Sequence, residues 1–231
     1  MLRRILSAAL AAGLLAGVLV SVLQAVTTTP LILQAELFET GGAGHDHAGH
    51  GHAAPAAAQA TPEAPLETGD IVTRTALTAA ANLITGVGFA LLVVGAFALS
   101  GRAVEAREGL LWGLGGFAAF TLSPALGLPP ELPGTIAADL ASRQAWWAFA
   151  AAGAAGGLAV LAFGTGWWRL PVGLALLVLP HAVGAPHPDA FGGSAPAELV
   201  GQFVARSIVV SAIFWAALGW LAGGFFKRFS A

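Results

Sequence analysis

The sequence predicts an all-α membrane protein that crosses the bilayer several times. Of its 231 residues, 57% are hydrophobic and 10% are charged, and the mean hydropathy is +0.79. A soluble domain carries about 25% charged residues, so most of this chain is expected to lie in lipid. A membrane helix needs about 20 apolar residues, and the chain contains several runs of about that length.

We interpret about six apolar runs as transmembrane helices. They are Ile5–Leu33, Ala76–Leu99, Leu110–Leu128, Ala145–Phe163, Leu170–Ala185 and Ser207–Phe226. The fifth run is the shortest and contains Pro171 and Pro180, which makes it the weakest of the six. Arg3 and Arg4 before the first run also resemble the start of a signal peptide, but the apolar core of a signal peptide has only about 7–15 residues. The first run is longer and is predicted to remain as a membrane helix.

The chain then divides into three parts. Residues 1–33 form the first membrane helix, residues 34–73 form a flexible periplasmic loop rich in histidine, and residues 74–231 form the other five helices. The middle part is rich in alanine and proline after the histidines. Such a composition buries too little apolar surface to order a domain.

Basic residues predict the orientation in the membrane. With the N-terminus inside, most of them fall on the cytoplasmic side, namely Arg3, Arg4, Arg102, Arg107, Arg169, Lys227 and Arg228. The outer borders hold only Arg74, Arg143 and Arg206. This bias follows the positive-inside rule. It predicts a multi-pass protein of the bacterial inner membrane with both termini in the cytoplasm.

The six runs also show a pairwise regularity. Each odd run ends near a proline followed by an acidic residue, as in Pro30 and Glu36, Pro124 and Glu131, and Pro180 and Asp189. Each even run is preceded by one of the three outer arginines. The chain could therefore consist of three similar helical hairpins, an arrangement found in transporters with parallel repeats. The alternative is that proline and arginine are ordinary punctuation at helix ends.

The strongest chemical signal is a histidine tract between the first two runs. It contains His45, Asp46, His47, His50 and His52 within eight residues. Imidazole and carboxylate ligands suit borderline divalent metals such as cobalt, nickel and zinc. The chain has no cysteine, and its only methionine is Met1, so sites built from sulfur ligands are not expected. The alternative is a solvated low-complexity segment that binds metal only incidentally.

A second candidate site lies in the proline-rich stretch from Pro180 to Asp189. His181 falls inside or at the edge of a membrane span, where an ionisable residue is a functional candidate. An interfacial histidine bonded to a backbone carbonyl is an equal alternative. His187 is expected in the outer loop. Four acidic residues are candidates for gathering cations at the outer face, namely Glu36, Glu39, Glu131 and Asp189.

Several stretches resemble the CbtA-type subunit of bacterial cobalt transporters. They are the first run with Thr-Thr-Pro and the glutamate after it, the histidine loop, and the motifs REGLLWGLGGF (107–117), LSPALGLPPELPG (122–134) and LPHAVGAPHP (179–188). The resemblance implies an inner-membrane protein that takes up cobalt together with a small single-span partner bearing histidine, CbtB. The family is usually described with five spans, whereas this chain has six apolar runs.

Two functions follow as hypotheses. The first is a subunit of a divalent-cation transporter, with cobalt as the transported ion (nickel or zinc as alternatives) and no permanent cofactor. The second is an accessory protein that binds metal without moving it across the membrane. An enzyme is not expected, because the chain lacks a phosphate-binding loop and has only His181 as an intramembrane histidine. Membrane lipid is the expected surroundings, and no nucleic-acid partner is expected.

The basic asymmetry generates a topology prediction. A reporter fused after Ala231 is expected in the cytoplasm, and one inserted near Ala57 is expected in the periplasm. Paired alkaline phosphatase and fluorescent-protein fusions measure this, since each is active on one side only. Both reporters on the same side would contradict an even number of spans.

Overall fold

The protein is built from helices. The computed structural model describes residues 2–42 and 68–229, with side chains for 2–39 and 71–229. The helices are α1 (Leu2–Thr27), α2 (Thr29–Gly42), α3 (Thr68–Ser100), α4 (Ala106–Phe117), α5 (Ser123–Ala125), α6 (Leu140–Phe163), α7 (Arg169–Val183) and α8 (Ala197–Arg228), and a π-helical segment (Ala118–Leu122) joins α4 to α5. In these ranges the only β-type pairing is one isolated bridge between Thr135 and Gly193. The all-α prediction is confirmed.

Four helices are long and apolar enough to cross a membrane. They are α1, the Ile71–Ser100 part of α3, α6 and α8. The other two predicted spans take a different form, because α7 has only 15 residues and the α4–α5 region is interrupted by the π segment. The chain therefore has the helices of a multi-pass membrane protein, but six spans are not confirmed.

The ends of the predicted loop differ from the helices observed. The first helix ends at Thr27 rather than at Leu33, and α2 starts at Thr29 and continues to Gly42. Pro30 explains the break, because it lacks the N–H that would bond to the carbonyl of Val26. The N–H of Leu31 instead donates to Thr28 O at 3.1 Å. Helix α3 begins at Thr68, so both ends of the segment 34–73 are helical.

Helix packing only partly follows the predicted hairpins. Helix α1 packs along α3, as a first hairpin requires, and also along α8. Helix α8 packs mainly against α4. Helix α7 packs against α6 and makes no contact with α8, and both α7 and α8 lie within the described residues. The three-hairpin arrangement is therefore not confirmed. The main core lies between α1, α3, α4 and α8 and includes Val94, Phe97, Trp215 and Leu218.

Glycines set the distance between α1 and α3. A Cβ atom added at Gly13 would lie 2.7 Å from Gly86 O, and one added at Gly17 would lie 3.0 Å from Asn82 O. No larger residue fits at Gly13 unless the two backbones move apart. In lipid, where apolar burial drives helices together only weakly, such close backbone contact is a main source of helix association.

Two further helix pairs meet in the same way. Gly219 and Gly223 of α8 lie against the backbone of Gly109 and Glu105, so α4 and α8 touch without intervening side chains. Gly153 of α6 lies against the backbone of α7, and a Cβ atom added at Gly153 would lie 2.8 Å from Leu176 O. Pro180 cannot donate to that carbonyl. The close approach of Gly153 thus covers a carbonyl that α7 leaves without its helical partner.

The π segment between α4 and α5 also depends on a proline. Ser123 N–H donates to Ala118 O, a bond that spans five residues instead of four. The wider turn brings the chain to Pro124, which is completely buried and lacks a donor of its own. Trp215 of α8 donates from Nε1 to Thr121 Oγ1 at 3.2 Å, and its ring stacks on Phe120. Insertions of this kind are frequent at functional sites.

Polar contacts join the helices at the end that holds the start of α1. Arg4 Nε donates to Phe226 O at 2.8 Å, and the guanidinium lies over the Phe226 ring. Lys227 Nζ donates to Glu105 Oε1 at 2.6 Å. These contacts connect α1, α4 and α8 at one end of the bundle, which is called the α1-start end below. The opposite end, where α2 and the start of α3 lie, is called the tract end.

The α4–α8 contact generates a stability prediction. Gly219→Ala is expected to destabilise the protein by about 1–3 kcal/mol, because the added methyl group would overlap with Gly113 and force the two helices apart. Thermal unfolding in detergent, followed by circular dichroism, measures the change.

Gly201→Ala is the matched control in the same helix. A Cβ at Gly201 meets no heavy atom within 4 Å, so alanine there is expected to be neutral or to stabilise through its higher helix propensity. Equal losses for the two variants would contradict the role of the Gly219 contact.

Candidate functional site

The histidine tract lies outside the described residues. His45, Asp46, His47, His50 and His52 all fall within 43–67, for which no structural statement is made. The chain order nevertheless fixes where the tract is attached. It follows α2, which ends at Gly42, and it precedes α3, which begins at Thr68. The tract is therefore tethered at both sides to the tract end of the bundle.

A cavity of about 620 Å³ with a mixed lining of polar and apolar residues lies at this same end, between α1, α2, α3 and α8. All four helices contribute to its wall. Its polar lining includes Ser21, Gln24, Thr78, Asn82, Ser207 and Ser211, and apolar side chains form the larger part of its wall. Thr28, at the break between α1 and α2, and the ion-paired Arg74 of α3 also line it. We call this space the outer cavity.

Asn82 is the centre of the polar contacts in the outer cavity. Its Nδ2 donates to Gln24 Oε1 at 2.7 Å and to Ser21 Oγ at 3.1 Å. These bonds cross from α3 to α1, one helical turn above the Gly17–Asn82 backbone contact. An amide in an apolar helix surface costs free energy unless it is hydrogen-bonded, and this pairing supplies two bonds.

The floor of the outer cavity is apolar. One turn below Ser21 and Asn82, α1 and α3 meet at Gly17 and Gly86. Beyond that contact the described core is apolar and includes Ala12, Val94 and Phe97, which are almost fully buried. This close contact bounds the outer cavity on the side of the α1-start end.

Two of the predicted cation-gathering acids are paired with arginine. Glu36 of α2 accepts from Arg74 of α3, with an Oε1–Nη2 distance of 2.5 Å. Glu131 accepts from Arg143 of α6, also at 2.5 Å. In each case an acid after one apolar run bonds to the arginine that precedes the next run. The sequence regularity therefore corresponds to ion pairs at the tract end, and these carboxylates are already partly neutralised.

The third arginine behaves differently. Arg206 donates to Thr27 O at 3.2 Å and to Gln202 Oε1 at 3.4 Å, both at the tract end. Asp189, its counterpart in the predicted repeat, is exposed. Glu39 is exposed too, and it lies beside Gly134, where a Cβ would come within 2.7 Å of Glu39 Oε1. Of the four predicted acids, Glu39 and Asp189 are the more accessible ones.

The start of α6 is fixed by a capping aspartate. Asp139 Oδ2 accepts from Ser142 N at 2.9 Å and from Ser142 Oγ at 3.0 Å. These two hydrogen bonds favour the charged form and lower the pKa of the Asp139 carboxyl below its ordinary value. The cap orients the first turn of α6, from which Arg143 reaches Glu131.

His181 lies in the last turn of α7, partly buried. Its Nε2 is 3.2 Å from Ser123 Oγ, and the ring meets the edge of Trp146 with centroids 5.9 Å apart. Trp146 Nε1 donates to Pro180 O at 3.3 Å. The two proline-rich motifs, 122–134 and 179–188, are therefore in direct contact through Ser123 and His181.

His187 is exposed and does not join His181. Its ring lies beside Phe191, with centroids 6.0 Å apart. Among the residues whose side chains are described, no three of histidine, aspartate and glutamate come together as metal ligands. The candidate ligands His181, His187 and Asp189 thus stay separate predictions, and the histidine tract is the only dense set of ligands in the sequence.

Comparison with known families agrees with the motifs. The sequence model of one family, described as "Probable cobalt transporter subunit (CbtA)", matches residues 2–227, which is nearly the whole chain. The chain belongs to the CbtA family. No curated protein and no solved structure matches it. Membership supports a role as a cobalt transporter subunit in a membrane, and a subunit implies partner subunits.

The contacts of Asn82 with Ser21 and Gln24, and of Ser123 with His181, were not predicted from the sequence. Ser21 and Gln24 lie in the first apolar run and carry no motif. The signal that could have identified them is their helical spacing, since residues three or four apart face the same side of a helix, as Gly17, Ser21 and Gln24 do. The same spacing on α8 aligns Ser207 with Ser211.

Proposed function

We propose that this CbtA-family protein is the inner-membrane subunit of a cobalt uptake system and that its histidine tract captures the ion on the periplasmic side. In this proposal the tract end of the bundle faces the periplasm, and both termini lie in the cytoplasm. Neutral imidazoles of His45, His47, His50 and His52, with the Asp46 carboxylate, bind Co²⁺. Nickel and zinc suit the same ligands.

One observation carries this proposal. The tract connects α2 to α3, and both of these helices line the outer cavity. An ion released by the tract is therefore delivered beside the outer cavity. Tethering of this kind raises the local concentration of the ion at the cavity compared with free solution.

The exposed acids fit the same role. Glu39 and Asp189 add negative charge at the tract end, which attracts cations and loses strength as ionic strength rises. Glu36 and Glu131 contribute less, because each is paired with an arginine. The membrane step is assigned to His181, whose imidazole lies near the end of α7 beside the hydroxyl of Ser123.

The apolar inner half of the bundle favours a second candidate function. Below Gly17 and Gly86 the described core offers no polar path to the α1-start end. A chain that captured cobalt and passed it to another subunit would need no such path. A small single-span partner bearing histidine, of the CbtB type, is the subunit proposed to complete the system.

The tract is expected to set the affinity for cobalt rather than the maximal rate. Replacing His45, His47, His50 and His52 with alanine should raise the cobalt concentration for half-maximal uptake by about tenfold or more, because several ligands are lost together. Acidification toward pH 5 should act in the same direction, since metal ligation needs neutral imidazole, with an ordinary pKa of about 6.5. Uptake of radioactive cobalt by cells measures both effects.

Gln59→Ala with Thr61→Ala is the control, because it changes polar residues of the same segment that are not imidazoles. The control is expected to keep the concentration dependence of the unchanged protein. A loss of the maximal rate at saturating cobalt in the histidine variant would contradict a capture role and place the tract in the transport path.

His181 separates the permease from the accessory protein. An ion that loses water inside a bilayer needs replacement ligands, and His181 is the imidazole nearest the membrane interior. His181→Ala is expected to abolish cobalt uptake while membrane insertion and cobalt binding by the tract persist. The exposed His187→Ala serves as the comparison and should retain most of the uptake. Full uptake by His181→Ala would favour the accessory function.

A further inference from the structure

A basic and aromatic surface at the α1-start end has no part in the function proposed above. It is formed by the turn between α6 and α7 together with the loop that follows α3. We propose that this surface, called the α6–α7 turn surface below, binds the phosphate group of an anionic membrane lipid. Arg102 and Arg169 hold the phosphate, and Trp167 and Trp168 border the apolar part of the lipid.

One contact brings the two parts of this surface together. The guanidinium of Arg102, in the loop after α3, lies over the ring of Phe163 at the end of α6, with its Cζ 4.7 Å from the ring centroid. The chain then turns at Gly166, where φ is +80°, and Arg169 begins α7. A Cβ atom added at Gly164 would lie 3.1 Å from the Cβ of Arg169. Both arginines therefore lie beside the same end of α6.

Both guanidinium groups have hydrogen-bond donors left for a ligand. The Arg102 guanidinium lies over a ring, but the N–H groups of arginine lie in the guanidinium plane and point outward from its edge. The side chains of Arg102 and Arg169 are exposed, and neither forms a hydrogen bond or an ion pair within the described residues. A planar fork of this kind donates two parallel hydrogen bonds to phosphate oxygens, and the charges on both groups strengthen them.

The charge at the α1-start end favours an anion. Among the described residues at this end, two are acidic, Glu105 and Glu108, and seven are basic, namely Arg3, Arg4, Arg102, Arg107, Arg169, Lys227 and Arg228. Glu105 accepts from Lys227 Nζ at 2.6 Å, and Glu108 Oε2 accepts from the backbone N–H of Glu105 at 3.1 Å. Both carboxylates already have partners, so they compete little with a phosphate for Arg102 and Arg169.

The tract end shows the opposite pattern. There Arg74 is paired with Glu36, and Arg143 is paired with Glu131. Arginines that already bind a carboxylate have fewer donors left for a phosphate. The unpaired arginines of the described chain that lie beside exposed indole rings are therefore those of the α6–α7 turn surface.

Exposed aromatic rings indicate that the phosphate belongs to a lipid. Trp167 is 81% exposed, and Trp168 and Phe163 are 44% and 42% exposed. A dissolved phosphate ion would cover the arginines and leave these rings in water, whereas a lipid brings its glycerol and acyl region against them. Tryptophan is enriched at the headgroup level of a bilayer, where lipid phosphates also lie. The exposed Leu170 and Leu174 continue the apolar surface along one face of α7.

An anionic headgroup fits this surface better than a zwitterionic one. A zwitterionic headgroup carries an ammonium group a few atoms from its phosphate. That ammonium would be repelled by Arg102 and Arg169, because like charges at short distance raise the free energy. A headgroup with net negative charge has no such cation, and clusters of basic residues beside a membrane helix attract anionic lipids for this reason.

Quenching of tryptophan fluorescence by brominated lipid tests the preference in the unchanged protein. The full chain is placed in phosphatidylcholine vesicles that contain an increasing share of brominated phosphatidylglycerol or, in a parallel series, of brominated phosphatidylcholine. Half-maximal quenching is expected at about a tenfold smaller share of the anionic lipid, the effect of two arginines on an anionic headgroup. Equal shares for the two lipids would overturn the proposal without any variant.

Inorganic phosphate separates the two sources of the phosphate group. Added in large excess over the lipid, it is expected to leave the quenching by brominated phosphatidylglycerol unchanged, because it offers nothing to the exposed rings. Loss of the anionic preference in its presence would mean that the surface recognises phosphate alone. That result would overturn the assignment to a lipid.

A pair of double variants tests the two arginines. Arg102→Gln with Arg169→Gln is expected to raise the share of phosphatidylglycerol needed for half-maximal quenching by about tenfold or more. Arg3→Gln with Arg228→Gln is the matched control, because it removes the same charge from exposed residues of the same end that lie over no aromatic ring within the described residues. Screening by salt should keep this control within about twofold of the unchanged protein. Equal changes in both double variants would overturn the site, since net charge alone would explain them.

Arg169→Gln alone keeps the result readable if the double variant fails to insert. The Arg169 side chain is exposed and has no hydrogen bond within the described residues, so its loss leaves the packing of α6 against α7 intact. The share of anionic lipid is expected to rise about fivefold. A change no larger than that of Arg228→Gln would overturn the role of Arg169. The titration needs neither metal nor transport, so its outcome is independent of the proposed function.

Discussion

Close backbone contact at glycine is the constraint on which the rest of this structure depends. Helices in lipid gain little from burying apolar side chains against one another, so their association needs tight packing and a few polar bonds. Here α1 meets α3 at Gly17, α4 meets α8 at Gly219, and α6 meets α7 at Gly153, each against the backbone of its neighbour. The polar groups of the outer cavity reach one another only because these contacts hold the helices so close.

The same contact separates a polar half of the bundle from an apolar one. Directly above Gly17, Asn82 bonds to Ser21 and Gln24, and directly below it alanines fill the space. A seam made of backbone has no side chains that could rotate to open a path. Any opening toward the α1-start end would therefore need movement of whole helices.

The sequence predicted the helical class and the family because each depends on local composition or on contiguous motifs. It did not predict that α8 packs on α4 and α1 instead of pairing with α7, since partner choice depends on which surfaces fit and not on chain order. The first apolar run was predicted as one helix over Ile5–Leu33, whereas the helix breaks at Thr28, two residues before Pro30. The Ser21–Asn82 hydrogen bond could not be predicted either. The two residues are 61 positions apart and belong to no motif, so their contact becomes evident only when the packing of α1 against α3 is known.

The ion pairs at the two ends of the bundle differ in strength. This difference bears on how a movement of whole helices could begin. At the α1-start end the Lys227–Glu105 pair is well exposed, with 62% and 56% of the side chains accessible, and exposed pairs contribute only about 0–1 kcal/mol. At the tract end the Glu131–Arg143 pair is more enclosed, at 26% and 28%, and the Nε of Arg143 is buried without a hydrogen-bond partner among the described residues. Breaking that pair would expose two partly desolvated charges, so it costs more. The Lys227–Glu105 pair is therefore expected to break at a lower cost than the Glu131–Arg143 pair.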